Sequence, residues 1–143
     1  MAEIVKEFQG EYRFLSNFYM REIDFLGLTY PSSEHLFQAM KATDPRDAEK
    51  IRLAKTPSEA KRFGKTINRR KDWDDVRITM MYLVLKLKFQ DQELKEKLLA
   101  TGDAVLEEGN SWNDMTWGKC LTTGIGKNYL GKILMKVRKE LKK

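Results

Sequence analysis

The sequence predicts a mainly α fold of the α+β class: one compact helical domain, residues 1–143, with a few short strands. Three observations carry this prediction. Residues 72–89 form a long run with apolar residues at helical spacing, including Trp73, Val76, Met80, Leu83 and Leu87. A second apolar-patterned segment, residues 128–141, sits at the C-terminal end. Between them and the N-terminal third, helix-start signals recur at short intervals, while alternating apolar residues are confined to short stretches. A length of 143 residues fits one domain with a core of its own.

In order, Tyr12 and Phe14 alternate, so residues 12–15 read as a strand, and Ser16-Asn17 as a turn. Ile23, Phe25 and Leu28 around Gly27 predict a short strand pair or a bent strand over 23–30. A helix follows at 33–42. Pro31 fixes its entry, and Ser32 or Ser33 can cap it by accepting an unpaired amide of the first turn. Leu36, Phe37 and Met40 make its apolar stripe. Glu34, Gln38 and Lys41 share another face at i, i+4 and i+7. Asp44-Pro45 starts a helix at 47–54 with Ile51 and Ala54 inward. Thr56-Pro57-Ser58-Glu59 starts another at 58–63, which Gly64 closes.

Residues 68–71 are a basic linker. The 72–89 helix carries a second stripe, Ile78, Met81, Tyr82, Leu85 and Phe89, and so reads as the central scaffold. Residues 91–100 form a helix with Leu94, Leu98 and Leu99 inward, ended by Gly102. A short strand is expected at 104–107. Residues 108–126 read as one long loop with two tryptophans, a length that in a compact domain points to function. The last helix turns Leu130, Ile133, Leu134, Val137 and Leu141 inward.

Charge sets the partner class. The formal net charge is +6 and the isoelectric point about 9.4, which favours anionic partners. Much of the excess lies in the tail, at Lys132, Lys136, Lys139, Lys142 and Lys143. These residues read either as a solvated helix face or as a nonspecific nucleic-acid surface. The lone cysteine, Cys120, permits no intrachain disulfide. The N-terminus shows no apolar signal core and no run is long enough to span a membrane, so the expected location is cytoplasmic. One histidine and one cysteine argue against zinc, and no metal or cofactor is expected.

The chemistry-bearing residues leave alternatives open. Gly124-x-Gly126-x4-Gly131 precedes a helix but does not match a dinucleotide fingerprint. His35 follows Glu34 directly, and neighbours on a helix diverge, so His35 reads as a packing residue rather than a base. Glu34 and Asp114 are the better candidates, because glycoside chemistry needs a carboxylate near an oxocarbenium-like centre. Glu34 in a first helical turn should stay ionised, which suits a water-activating base or a charge stabiliser; it can equally serve only the helix end. Trp73, Trp112 and Trp117 can stack a base or belong to the core.

FLSNFY (14–19), YPSSEHLFQAMKA (30–42), Trp73 with Met80-Met81 and Lys88-Phe89, NDMTWG (113–118) and GKNYLGKILMKVR (126–138) together resemble the NADAR family, with its YbiA-like branch. The combination covers nearly the whole chain. The resemblance implies a mostly helical single domain and an N-glycosidase activity on ribosylated substrates, without a metal. It implies a catalytic role for Glu34, with Asp114 as the carboxylate partner. It places Trp73 and Trp117 at the pocket as a clamp for a base or ribose rim, and Ser16 and Asn17 in its lining, with Gly118 beside them. Lys41, Arg13, Arg69 and Arg70 are phosphate candidates by charge.

One position departs from the YbiA-like pattern: Lys119 follows the Trp117-Gly118 pair where an aspartate is expected. That departure weighs against a riboflavin-pathway ribosylamine as substrate and towards removal of ADP-ribose from modified guanine in nucleic acid. A module that binds ADP-ribose or NAD without turnover is the remaining alternative. The sequence leaves the oligomeric state open.

Overall fold

A computed structural model describes residues 3–142. Met1, Ala2 and the tail residue Lys143, which entered the reading of the two termini, lie outside the described residues. In chain order the elements are β1 (Ile4–Val5), a 3-10 helix (Gly10–Leu15), β2 (Met20–Phe25), β3 (Leu28–Ser32), α1 (Ser33–Ala39), α2 (Pro45–Arg52) and α3 (Pro57–Gly64). They continue with α4 (Trp73–Lys88), α5 (Gln92–Ala100), β4 (Val105–Leu106), β5 (Gly109–Asn110), β6 (Lys119–Cys120) and α6 (Tyr129–Leu141). The mainly α expectation holds. Among the described residues no helix is long and apolar enough to cross a membrane.

Two compact units divide the chain: residues 17–88, and the residues up to 16 together with those from 89 onward. In the first, β2 and β3 pair antiparallel, with Ile23 opposite Tyr30 and Phe25 opposite Leu28. Their turn puts both Leu26 and Gly27 at positive φ, 51° and 82°, which matches the twist of a tight hairpin. The strand then runs straight into α1, whose N-cap is Ser32: its Oγ accepts the His35 amide at 3.2 Å.

Every residue of α1 is buried, including Glu34, His35 and Gln38. It touches β2, β3, α2, α3 and α4. So α1, not α4, is the centre of this unit. Of the two stripes expected on α4, the second is the buried one, with Met81, Leu85 and, just past the helix, Phe89, joined by Val84 and Lys88, whereas the first keeps only Trp73 buried and leaves Leu83 42% exposed. Apolar residues on two sides of a helix exceed what one neighbour can cover, and here one side faces outward. Phe37 of α1 packs on Trp73 of α4, ring centres 5.1 Å apart.

The 33–42 helix is shorter than expected, with Met40 as its C-cap. Helix α3 includes Gly64 rather than ending before it. That glycine has a packing reason described below.

The second unit is assembled from both chain ends. β1 lies parallel to β4, Ile4 opposite Val105 and Val5 opposite Leu106. Two residues carry no periodicity, so β1 was not foreseeable. The expected strand at 12–15 is instead the 3-10 helix. Phe14 and its neighbour Leu15 are both buried, and adjacent residues cannot share one face of a strand. Phe14 meets Phe89 edge-on at 6.5 Å.

Asp91 caps α5 through the Leu94 amide at 3.1 Å, and Gly102 ends it at φ +61°. Helix α6 buries Leu130, Ile133, Leu134 and Val137, each full burial of an aliphatic side chain contributing roughly 1.5–3 kcal/mol. Leu141, expected inward, is only half-buried, and Lys132, Lys136, Lys139 and Lys142 are exposed. The 108–126 segment is not wholly loop: β5 and β6 pair in parallel inside it.

Candidate active site

Within residues 17–88 the chain concentrates polar side chains around the first turns of α1. Asn17, 7% exposed, clamps that start: its carbonyl accepts the Glu34 amide at 3.1 Å and its Oδ1 accepts the Ser33 hydroxyl at 2.7 Å. Its Nδ2 reaches Met81 Sδ on α4 at 3.4 Å. Glu34 is 6% exposed. Its Oε1 accepts Gln38 Nε2 at 2.7 Å, the i, i+4 geometry that their shared helix face foretold.

Lys41 follows on that face. Burial pushes its ammonium below the ordinary lysine range; the positive charges of Arg69, Lys61 and Lys65 add to this, and Glu34 opposes it. Its Nζ lies 5.9 Å from the Trp73 ring centre. Trp73 itself is 3% exposed and packed against Phe37, so it backs Lys41. Two other phosphate candidates are already paired: Arg69 donates twice to Asp74, at 3.1 and 3.2 Å, and Arg70 twice to Asp72, at 2.6 and 2.9 Å. The structure thus brings Asn17, Glu34, Lys41 and Trp73 together.

His35 has a structural task. Its Nε2 lies 3.0 Å from the Ala54 carbonyl, and its Nδ1 lies 2.7 Å from Ser32 Oγ. The first contact requires a proton on Nε2, so Nδ1 accepts. Burial lowers the imidazole's pKa, more than the Ala54 carbonyl and Glu59 raise it. The imidazole stays neutral and ties α1 to the segment after α2.

The remaining candidates lie in the other unit. Arg13 sits in the 3-10 helix, its Nη1 3.4 Å from Gln9 Oε1, and Ser16 is the C-cap of that helix. Asp114 organises a turn: its Oδ1 accepts the amides of Thr116 at 3.1 Å and Trp117 at 2.9 Å. Trp117 is half-buried and meets Tyr129 edge-on at 6.2 Å. Gly118 is buried, and a side chain there would land on the Glu108 carbonyl and 2.6 Å from Asn110 Nδ2. Lys119, the departure from the family pattern, donates to Glu107 at 2.7 Å. Trp112 is 57% exposed.

Sequence reasoning missed two organisers. Asn110, fully buried, donates to Asp114 O and Glu108 Oε2, both at 2.9 Å, and accepts the Asp114 amide at 3.0 Å. Nothing local marks it, since its partners are up to four residues away inside an irregular loop. Gly64 is the other; its partner, Gln38, lies on a different helix. Among the described residues no cluster of three or more His, Cys, Asp or Glu could hold a metal.

Comparison with known proteins agrees with the resemblance. The NADAR domain family matches residues 5–142. The N-glycosidase YbiA of Escherichia coli (strain K12) is 41% identical over 134 residues, covering 92% of this chain and 82% of that protein. The riboflavin biosynthesis protein VVA0006 of Vibrio vulnificus is 43% identical over 131 residues, 90% of this chain, but the match spans only 35% of the Vibrio protein. The solution NMR structure of E. coli YbiA superposes with a TM-score of 0.87 at 38% identity, covering 99% of this chain and 87% of that one. The chain belongs to the NADAR family and is an N-glycosidase-type enzyme, a hydrolase of N-glycosyl bonds.

Proposed function

We propose that this enzyme hydrolyses the bond between ribose C1′ and the amine of a phosphorylated ribosyl substrate, with Glu34 as the working carboxylate. The observation that carries the reading is the buried Glu34 carboxylate, which accepts the Gln38 amide at 2.7 Å and is electrostatically coupled to Lys41. Glu34 takes a proton from water as the water oxygen bonds to C1′. The C1′–N bond breaks, its electron pair leaves with the nitrogen, and that nitrogen takes up the proton. The carboxylate also offsets the positive charge that grows on the ribose ring. Lys41 binds a phosphate oxygen, and Lys61 and Lys65 strengthen the local positive potential. Asp114 acts by holding the 114–117 turn, and with it Trp117 and Gly118, in place.

The substrate we propose is ADP-ribose attached to guanine in nucleic acid, on the strength of Lys119, whose ammonium pairs with Glu107 at the position where the YbiA-like pattern has an acid. A second reading, a ribosylamine phosphate of riboflavin synthesis, is favoured by two relatives named riboflavin biosynthesis proteins, from Vibrio vulnificus and Zea mays. Mass spectrometry of products separates them. An ADP-ribosylated guanine oligonucleotide should release free ADP-ribose faster than the ribosylamine phosphate releases its amine. The reverse order assigns the enzyme to the second reading. Tight binding of ADP-ribose in calorimetry, with neither substrate cleaved, would replace both by a binding module.

A further inference from the structure

The Gln38 side chain carries an oddity. Its Nε2 donates to Glu34 Oε1 at 2.7 Å, while its Oε1 is buried with no hydrogen-bond partner among the described residues. The orientation follows from chemistry, since an ionised carboxylate only accepts and only Nε2 can donate. A buried orphan acceptor is expensive, comparable to a lost hydrogen bond. The fold keeps it nonetheless and makes room for it. The Oε1 lies over Gly64 of α3, where a Cβ would collide with it and would stand 2.9 Å from Cδ. Gly64 ends an otherwise ordinary helix and has no positive φ, so backbone freedom does not explain it. Space does.

We infer that Gln38 is the positioning residue for Glu34, and that Gly64 exists to let its amide reach the carboxylate. The inference rests on Glu34 being the working carboxylate. A one-sided amide donates to the ionised carboxylate and fixes the oxygen it reaches, so the carboxylate is held in one orientation on its helix. The donor costs the fold its unmatched acceptor, the kind of local compromise found at functional sites.

Charged groups from several elements stand near α1. Lys41 faces it, and beyond Lys41 stand Lys61 and Lys65, on α3 and just after it, and Arg69, which Asp74 of α4 pairs. Tyr30 of β3 groups with Glu49 and Arg52 of α2, and Glu59 of α3 faces His35. None of the cations changes charge in the acid range.

The test reads the Glu34 carboxyl by carbon-13 NMR titration, assigned by its loss in Glu34→Gln, together with the acid limb of kcat/KM. In Gln38→Met, which keeps the volume and loses the donor, the carboxyl should titrate about one pH unit higher, with kcat/KM at neutral pH down about tenfold. Gly64→Ala should produce the same displacement without touching either residue chemically. In a Gln38→Ala background, Gly64→Ala should add nothing, because the amide it displaces is gone. A merely structural role lowers the melting temperature and leaves the titration and the acid limb where they are; that result overturns the inference while the Glu34 assignment stands. Full turnover by Glu34→Gln removes that assignment and the inference with it.

Discussion

Glu34 and Asp114 are two candidate carboxylates held in opposite ways. Glu34 is on a fully buried helix, and its Oε1 accepts the amide of another side chain, Gln38. Asp114 is in an irregular loop, and its Oδ1 is bonded by two backbone amides. The surroundings repeat the contrast. Around α1, side chains bond side chains: Asn17 with Ser33, His35 with Ser32. Around Asp114 more of the bonds go from side chain to main chain: Asn110 to Asp114, Asn128 to Glu108 and Leu106, beside the side-chain bonds of Asn110 and Lys119 to Glu108 and Glu107. A carboxylate spent on backbone amides stabilises a loop. One presented by a rigid helix, with an adjustable partner, can take and return a proton. On the function proposed above, the difference assigns the chemistry to Glu34 and the support of a loop to Asp114.

The strongest way to break this contrast is Glu34→Gln. Turnover should fall on the order of 10²–10⁴-fold with the melting temperature little changed. A rate near wild type would erase the distinction. Next, Lys41→Met should raise KM for the phosphorylated substrate about tenfold or more and change kcat less. A loss confined to kcat would move Lys41 from binding into the chemistry. Third, Asp114→Ala should cost about 1 kcal/mol of stability, as losing a capping carboxylate does. Asp114→Asn keeps the acceptor and should keep both stability and rate; a 100-fold loss of rate with an unchanged melting temperature would place Asp114 in the reaction itself.

The smallest effect concerns His35. Its folded pKa is lowered from 6.5 by burial, so the unfolded chain binds the proton more readily. Its contribution to stability is therefore fully present above pH 6.5 and declines as pH falls from there towards the depressed folded value. Melting temperatures between pH 7.5 and 5 should show that slope, and His35→Gln should flatten it. An equal slope in both proteins would assign it to other groups.

The helices were legible because their signals are local. Caps at Asp44, Thr56 and Asp91 sit where the residue types put them, and each accepts the expected first-turn amide. Glu34, Gln38 and Lys41 could be read onto one face for the same reason. Long-range relations could not be read. The β1–β4 pairing joins residues at opposite ends of the chain. The small size of Gly64 is set by a side chain from another helix, and its place in the sequence suggested only a helix stop. The aromatic run at 12–15 misled because alternation over four residues also suits a tight 3-10 turn that buries Phe14 and Leu15 together.

The way the second unit is stitched from both ends bears on how the chain acquires its structure in time. Residues 17–88 are contiguous and can condense once they are synthesised. Ile4–Val5 must wait for Val105–Leu106 to emerge, and closing so long a loop defers their pairing to the end. A ribosome-bound chain stopped near residue 120, its last stretch still inside the exit tunnel, should therefore already protect the α1 amides from exchange while leaving Val5 unprotected. A nascent chain caught at that stage would hold the Glu34–Gln38 pair before its N-terminal strand had found a partner.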